Sequence, residues 1–276
     1  MKDWEERRDH ILSEMGNRPL NVLIVEGPDD KSFIESLLNN RKRGQWESSW
    51  IVGVAAGKSA VLKILRDQPT WSALIDKDEW TEDEVNEQEA AFPGRLFVMP
   101  RFCMENYHVV PHELWAQLEA ARQQAVQGGF QAFEAAILQP LDQWVIHGAL
   151  WHAANPLQAS LQARGFKTDL LDFNLANGGD AAIEAKLKDW HDHLEPRRVM
   201  GLYKANLATA QAATVEEQLK FWVHGKHFFR THVKDTVARL TGLPPVAVET
   251  ALANLQSKML LPVDLRDIWT TFLGLP

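Results

Sequence analysis

The sequence predicts an α/β fold: a mostly parallel sheet flanked by helices, followed by an α-helical C-terminal region. Three observations carry this. Short apolar runs at Val22–Val25, Trp50–Val54, Ala73–Ile75 and Leu96–Met99 alternate with stretches of helical periodicity, the pattern of a parallel sheet covered on both faces. The first and third runs end directly in acid, at Glu26 and Asp76. Beyond about Pro111 only helical periodicity remains.

Taken in order, the N-terminal stretch MKDWEERRDHILSEM is charged and amphipathic. It lacks the apolar core of a signal peptide and is expected to form a short surface helix. Strand Val22–Val25 leads through Gly27-Pro28 into a helix from Asp29 to Leu38. Phe33, Ile34, Leu37 and Leu38 make its apolar stripe, and Asn39-Asn40 should stop it. Arg41 to Gly44 reads as a basic loop. Strand Trp50–Val54 precedes a helix from Gly57 to Arg66 that turns Val61, Leu62, Ile64 and Leu65 inward. After strand Ala73–Ile75, Thr81-Glu82-Asp83-Glu84 has capping-box spacing and should open a helix. Pro93-Gly94 turns into the fourth strand. The second half reads as helices over 112–126, 130–150, 157–164, 181–194, 215–223, 226–240, 245–255 and 263–272. Asp180 and Thr214 are expected N-caps, with breaks at 177–179 and 242–245. The expected division is an α/β domain over 18–110 and a helical domain over 111–276, with Trp115, Trp144, Trp151, Trp190, Trp222 and Trp269 as its packing anchors.

Composition bounds the function. The 276 residues are 45% apolar, enough for a sizeable core. The longest apolar runs fall far short of a membrane span. Cys103 is the sole cysteine, which excludes an intrachain disulfide and a cysteine-based zinc site; cytosol is the expected compartment. Net charge is −8, with 22 acids and 15 bases over residues 1–125 against 15 and 14 over 126–276. That balance argues against tight, metal-free, nonspecific nucleic-acid binding. It fits an acidic site offset by cations, and a solvated acidic surface explains the same numbers.

The sharpest constellation is Glu26, Asp30, Asp76 and Asp78. Glu26 leaves the first strand, and Asp30 lies four residues on, in the first helical turn. Asp76 and Asp78 flank the end of another strand. Ligands of open α/β sheets sit outside the carboxyl ends of the strands. Carboxylates crowded there repel unless protonated or metal-bound, and oxygen donors are what Mg²⁺ or Mn²⁺ takes. The plainer reading is that Asp29 and Asp30 cap a helix and Asp78 starts a solvated loop. Gly57-Lys58-Ser59 suggests a P-loop, but the required upstream glycine position holds Val52. The milder expectation is a helix opening at which Gly57 and Lys58 hold a substrate phosphate. The seven acids between Asp78 and Glu89 read mostly as a solvated helix face. The pairs at His191/His193 and His224/His227 lack metal-motif spacing.

VEGPDD followed by IDKD resembles the TOPRIM domain of topoisomerases, primases and OLD-type nucleases. The acid four residues past the glutamate, Asp30, resembles the OLD branch, where a glutamate is usual. Glu105-Asn106-Tyr107 after the fourth strand, with Gly225-Lys226 in the second half, resembles the TOPRIM effectors of PARIS-type anti-phage systems. The resemblance covers residues 20–110 well and the rest loosely. It implies a Mg²⁺- or Mn²⁺-dependent nuclease acting on DNA or RNA, dimerisation, no membrane, and work with a separate ABC-type ATPase, since these 276 residues hold no ATPase domain. Glu26, Asp76 and Asp78 would be the core metal ligands. Asp30 would serve a second metal or act as base, and Glu105 would ligate or orient. Lys226, with Lys58, would neutralise charge on the phosphate. Only Tyr107 and Tyr203 exist as tyrosines, which disfavours a covalent topoisomerase-like step. A non-catalytic module docking an ATPase and a primase-like nucleotidyl transferase are the alternatives.

Overall fold

A computed structural model describes residues 3–42, 45–166, 179–244 and 246–273. Its sheet has four strands, β1 Asn21–Val25, β2 Trp50–Val54, β3 Ser72–Ile75 and β4 Leu96–Val98, in the order β2-β1-β3-β4. All pairings are parallel. The chain moves from β1 outward to β2, then crosses back to lay β3 on the other side of β1. The carboxyl ends of β1 and β3 therefore flank a topological switch point, where open α/β sheets hold ligands.

Strand alternation builds a core on each face. Leu23 and Val25, with Val52 and Leu74, pack against Phe33, Ile34, Leu37 and Leu38 of α2, Pro28–Lys42. Val22, Ile24, Ala73 and Ile75 face α3, Lys58–Asp67, through Val61, Ile64 and Leu65. α4, Glu82–Ala91, adds Val85 to that second core and opens with the expected Thr81–Glu84 capping box. Each fully buried Leu, Ile or Val contributes roughly 1.5–3 kcal/mol, so both faces are firmly specified.

Several expectations are corrected. The N-terminal helix α1, Asp3–Met15, is more than a surface helix. Its Ile11 is 1% exposed and seats on Gly53 of β2, where a Cβ would come within 2.5 Å of Ile11 Cδ1. α2 runs past Asn39-Asn40 to Lys42, because Asn40 Nδ2 donates to the carbonyls of Gln256 and Met259. The span 112–126 is two helices, Pro111–Gln117 and Ala120–Ala125. The span 130–150 breaks near Pro140, and its second part continues through Pro156 as one helix, Leu141–Ala163. A proline inside a helix costs about 3 kcal/mol. Burial of Val145, Ala149, Ala153, Leu157 and Leu161 at four-residue spacing offsets it. Pro196–Ala212 is a helix that periodicity missed. Asp180 is the first helical residue, after Gly179, rather than the cap, while Thr214 caps as expected with Glu217. Gly57 precedes α3, whose first helical residue is Lys58.

The chain clusters into two compact units, one of residues 1–139 with 225–276 and one of residues 140–224. This division does not fall at 110/111. The C-terminal residues Met259, Leu265 and Trp269 join the same core as Leu23 and Val25, so the C-terminus completes the α/β unit. Within the second unit, Leu141–Ala163 packs on Pro196–Ala212, and Gly148 lies so near Trp222 that a Cβ would sit 1.9 Å from its carbonyl oxygen. Trp190 and Trp269 are buried anchors. Of the expected break at 177–179, residues 177 and 178 lie outside the described residues, and so does Pro245 of the break at 242–245. No described helix is long and apolar enough to cross a membrane.

Candidate functional site

β1 and β3 deliver their acids side by side. The Asp76 amide donates to Glu26 Oε1 at 3.1 Å, joining the two strand ends. The Asp76 carboxylate in turn accepts from the Met104 amide at 3.0 Å. Met104–His108 is a short 3-10 helix that carries Glu105, Asn106 and Tyr107. Asp78 adopts a left-handed backbone, φ 48°, uncommon for a residue with a side chain, and its amide donates to the Phe102 carbonyl at 2.7 Å. Asp30 Oδ2 accepts from the Gly27 amide at 2.7 Å, the reach of a capping carboxylate back to the residue before its helix. The helix-capping role considered for Asp30 is thus present.

Electrostatics bind these acids into one site. Burial pushes the Glu26 carboxyl up to about 7, with Asp78 and Asp30 adding to the rise and Lys58 opposing it. Burial raises Asp30 to about 6, helped by Glu105 and Asp29. Asp76 is held well above its ordinary value by burial and by Asp30, Asp78, Glu105 and Glu26. Five carboxylates therefore act on one another across the ends of β1, β3 and the Met104–His108 turn.

The second half of the chain supplies a cation. Lys226 Nζ stands 3.5 Å from Asp29 Oδ2 and 3.8 Å from the buried Glu105. Burial alone would lower its pKa, but Glu105, Asp29 and Asp30 outweigh that and raise it. The approach depends on Gly225. A Cβ there would sit 2.3 Å from Asn106 Oδ1 and 2.7 Å from the Asn106 amide nitrogen. Asn106 is fixed because its Oδ1 accepts from the Cys103 amide at 3.1 Å and thiol at 3.0 Å. Arg101, 1% exposed, grips the same turn. It donates to the Asn106 carbonyl, pairs with both oxygens of Glu113 and with Asp264, and lies 3.9 Å from the Tyr107 ring centre. Burial keeps the Cys103 thiol and the Tyr107 phenol well above their usual values.

Gly57 and Lys58 are placed differently from the phosphate cradle expected. The Gly57 amide is spent on the Glu26 carbonyl at 3.1 Å. Lys58 Nζ pairs with Asp78 Oδ2 at 2.5 Å, donates to the Lys77 carbonyl at 3.2 Å and stands 4.7 Å from the Trp80 ring centre.

No protein-family model, curated protein or solved structure matches this chain.

The donor set is all oxygen, the chemistry that suits Mg²⁺ or Mn²⁺. Among the described residues, no group of three or more acids, histidines or cysteines is gathered closely enough to hold an ion as placed. Glu26, Asp30, Asp76 and Asp78 each accept one intramolecular hydrogen bond on one carboxylate oxygen. Sequence reasoning missed Asp29 as the nearest acid to Lys226, Arg101 as the anchor of the turn, and Trp80 beside Lys58. Asp29 carried a signal in its adjacency to Asp30. The other two depend on contacts across the fold.

Proposed function

We propose that this chain is a divalent-metal-dependent nuclease of TOPRIM-like type that hydrolyses phosphodiester bonds in nucleic acid. The observation that carries the reading is the meeting of Glu26, Asp30, Asp76, Asp78 and Glu105 at the switch point, with Lys226 brought to them from far along the chain. Mutual repulsion and burial make such a cluster costly when ionised and empty. Glu26, Asp76 and Asp78 would hold Mg²⁺ or Mn²⁺, with Asp30 and Glu105 completing the set. Bound ions supply Lewis-acid stabilisation and an activated water. Glu26 or Asp30, with raised pKa values, would take the proton from the attacking water, and Lys226 would stabilise charge on the phosphate. By the sequence resemblance, the biological setting is an anti-phage effector, a homodimer that works with a separate ATPase.

A second reading has its own observation. Lys58 already pairs with Asp78, and Lys226 with Asp29 and Glu105, so the acids carry protein counter-charges of their own, and the site also suits a non-catalytic module that docks an ATPase. Titration calorimetry with Mn²⁺ separates the two. The nuclease reading expects binding that Asp76→Ala abolishes, together with Mn²⁺-dependent cleavage. Absence of Mn²⁺ binding in the wild type removes the nuclease reading.

A further inference from the structure

We infer that a groove between the helices Lys234–Thr241 and Val248–Gln256 is a binding site for a small amphipathic carboxylate, an apolar body ending in one anionic group. The first of these helices packs on Ala120–Ala125 and the second on Pro111–Gln117. Gly242, at φ 66°, ends the first helix, and the chain leaves it through Leu243 and Pro244. A hollow of about 200 Å³ lies between the two helices. Its floor is Leu118, Phe229, Val237 and Leu255, all buried. Its walls carry alanine at 238 and at 251, one on each helix. Neither helix therefore supplies a side chain long enough to fill it, whereas packed interiors leave few gaps larger than a water. An enclosed apolar cavity of about 150 Å³ takes benzene, so this hollow suits a ring or a chain of roughly six to eight carbons.

The hollow continues into a polar chamber of about 280 Å³, which shares Leu118, Leu243, Asn254 and Leu255 with it. This end adds Arg122, Lys258, Glu119 and Ser257. Two cations against one acid leave one positive charge in excess, which fits a single anion. A guanidinium carries five donors. Among the described residues Arg122 spends one of them, on the Thr241 carbonyl at 3.4 Å. Lys258 pairs with Glu119 at 3.3 Å, but both side chains are more than half exposed, so that pair is weak and opens readily. A carboxylate can take two parallel bonds from the Arg122 fork while its apolar body lies in the hollow. Lys234 and Asp235, which also line the hollow, neutralise one another at 3.3 Å. The groove is separate from the acid site. Of its residues only Phe229 also lines the cleft of Asp29, Glu105 and Lys226, so binding here needs no metal ion.

Amide-detected NMR titration of the full chain with hexanoate, and with hexan-1-ol as the uncharged probe, tests this. Wild type should bind one hexanoate with a Kd of roughly 1 mM or below, about tenfold more tightly than hexan-1-ol, the difference expected of one charge-assisted contact. The shifted amides should cluster at residues 117–122 and 234–258, the segments that form the groove. Ala251→Leu should fill the hollow and abolish hexanoate binding with a melting temperature at or above that of wild type. Ala238→Leu takes its place if Ala251→Leu fails to fold. Arg122→Gln should weaken hexanoate about tenfold, to the level of hexan-1-ol, and leave hexan-1-ol unchanged. Shifts centred elsewhere, or wild-type affinity in a folded variant with the hollow filled, overturn the inference. Equal affinity for hexanoate and hexan-1-ol in wild type overturns the anionic ligand. No saturable binding of either probe overturns the site altogether and leaves the groove to a side chain of a partner protein.

Discussion

His108 shows how single atoms set a pH response. Gln117 Nε2 donates to the Tyr107 carbonyl at 3.0 Å, which turns Gln117 Oε1 toward His108 Nδ1 at 2.8 Å. Nδ1 must then carry the proton, and the buried Nε2 has no hydrogen-bond partner among the described residues. Protonating it would bury an unpaired charge between Phe33 and Phe229. Burial accordingly lowers the His108 pKa to about 4. The unfolded chain takes up this proton near its ordinary value of 6.5 while the folded chain does not. Stability from this group is present above pH 6.5 and falls as pH drops toward 4, by on the order of 3 kcal/mol. Glu26 and Asp30, whose pKa values are raised, contribute with the opposite slope, so the test is a difference. His108→Asn should be less stable than wild type at pH 7, and denaturant titrations should show the gap shrinking between pH 6.5 and 4. A constant gap would contradict the buried neutral ring. Lys226 gives the residue-scale test of chemistry. Lys226→Ala should leave folding and Mn²⁺ binding nearly intact and slow single-turnover cleavage roughly 10²–10³-fold. Lys226→Arg should recover little, since a planar guanidinium places its charge differently.

The elements matter through how closely they approach. The helical segment that begins at Gly225 touches the Met104–His108 turn with no room for a side chain. The neighbour is the Asn106 amide as well as its side chain, so the turn cannot swing aside cheaply. Gly225→Ala should cost about 1–3 kcal/mol, the range of overpacking, and shift Lys226 from Glu105. Urea unfolding would show the loss, and cleavage should fall alongside. Wild-type stability in this variant would mean the two elements are not pressed together. Helical periodicity from 226 to 240 located the segment but carried no information on its neighbour. The conformational break within it, a π-helical stretch at Phe229–Val233, buries Phe229 and Val233 and has no sequence signature.

At the scale of the molecule, the α/β unit is closed by residues from both ends of the chain. Ile11 covers one face of the sheet, and Met259, Leu265 and Trp269 cover the other. Asp264 also pairs with the buried Arg101, and removing one partner of a buried pair is costly. A chain ending at residue 245 should therefore lose cooperative unfolding and expose apolar surface. Thermal denaturation by circular dichroism and dye binding would register this. A truncated protein with an unchanged melting transition would show that residues 246–273 are dispensable to the core.

The sequence by itself determined the four strands, their parallel α/β alternation, and the acids that leave β1 and β3, because apolar runs and turn residues are local signals. Glu26 beside Asp76 was legible once those strands were taken as neighbours, and β1 and β3 do pair. The Thr81 and Thr214 caps were legible for the same local reason. Only the tertiary structure decided that Lys58 goes to Asp78, that Asn106 meets Gly225, that α2 outruns its asparagines, and that the C-terminus belongs to the sheet. Each of those is a contact between residues far apart in the chain. Its free energy comes from burial and from groups satisfied across the fold, and such terms override local propensity without leaving a trace in spacing or periodicity.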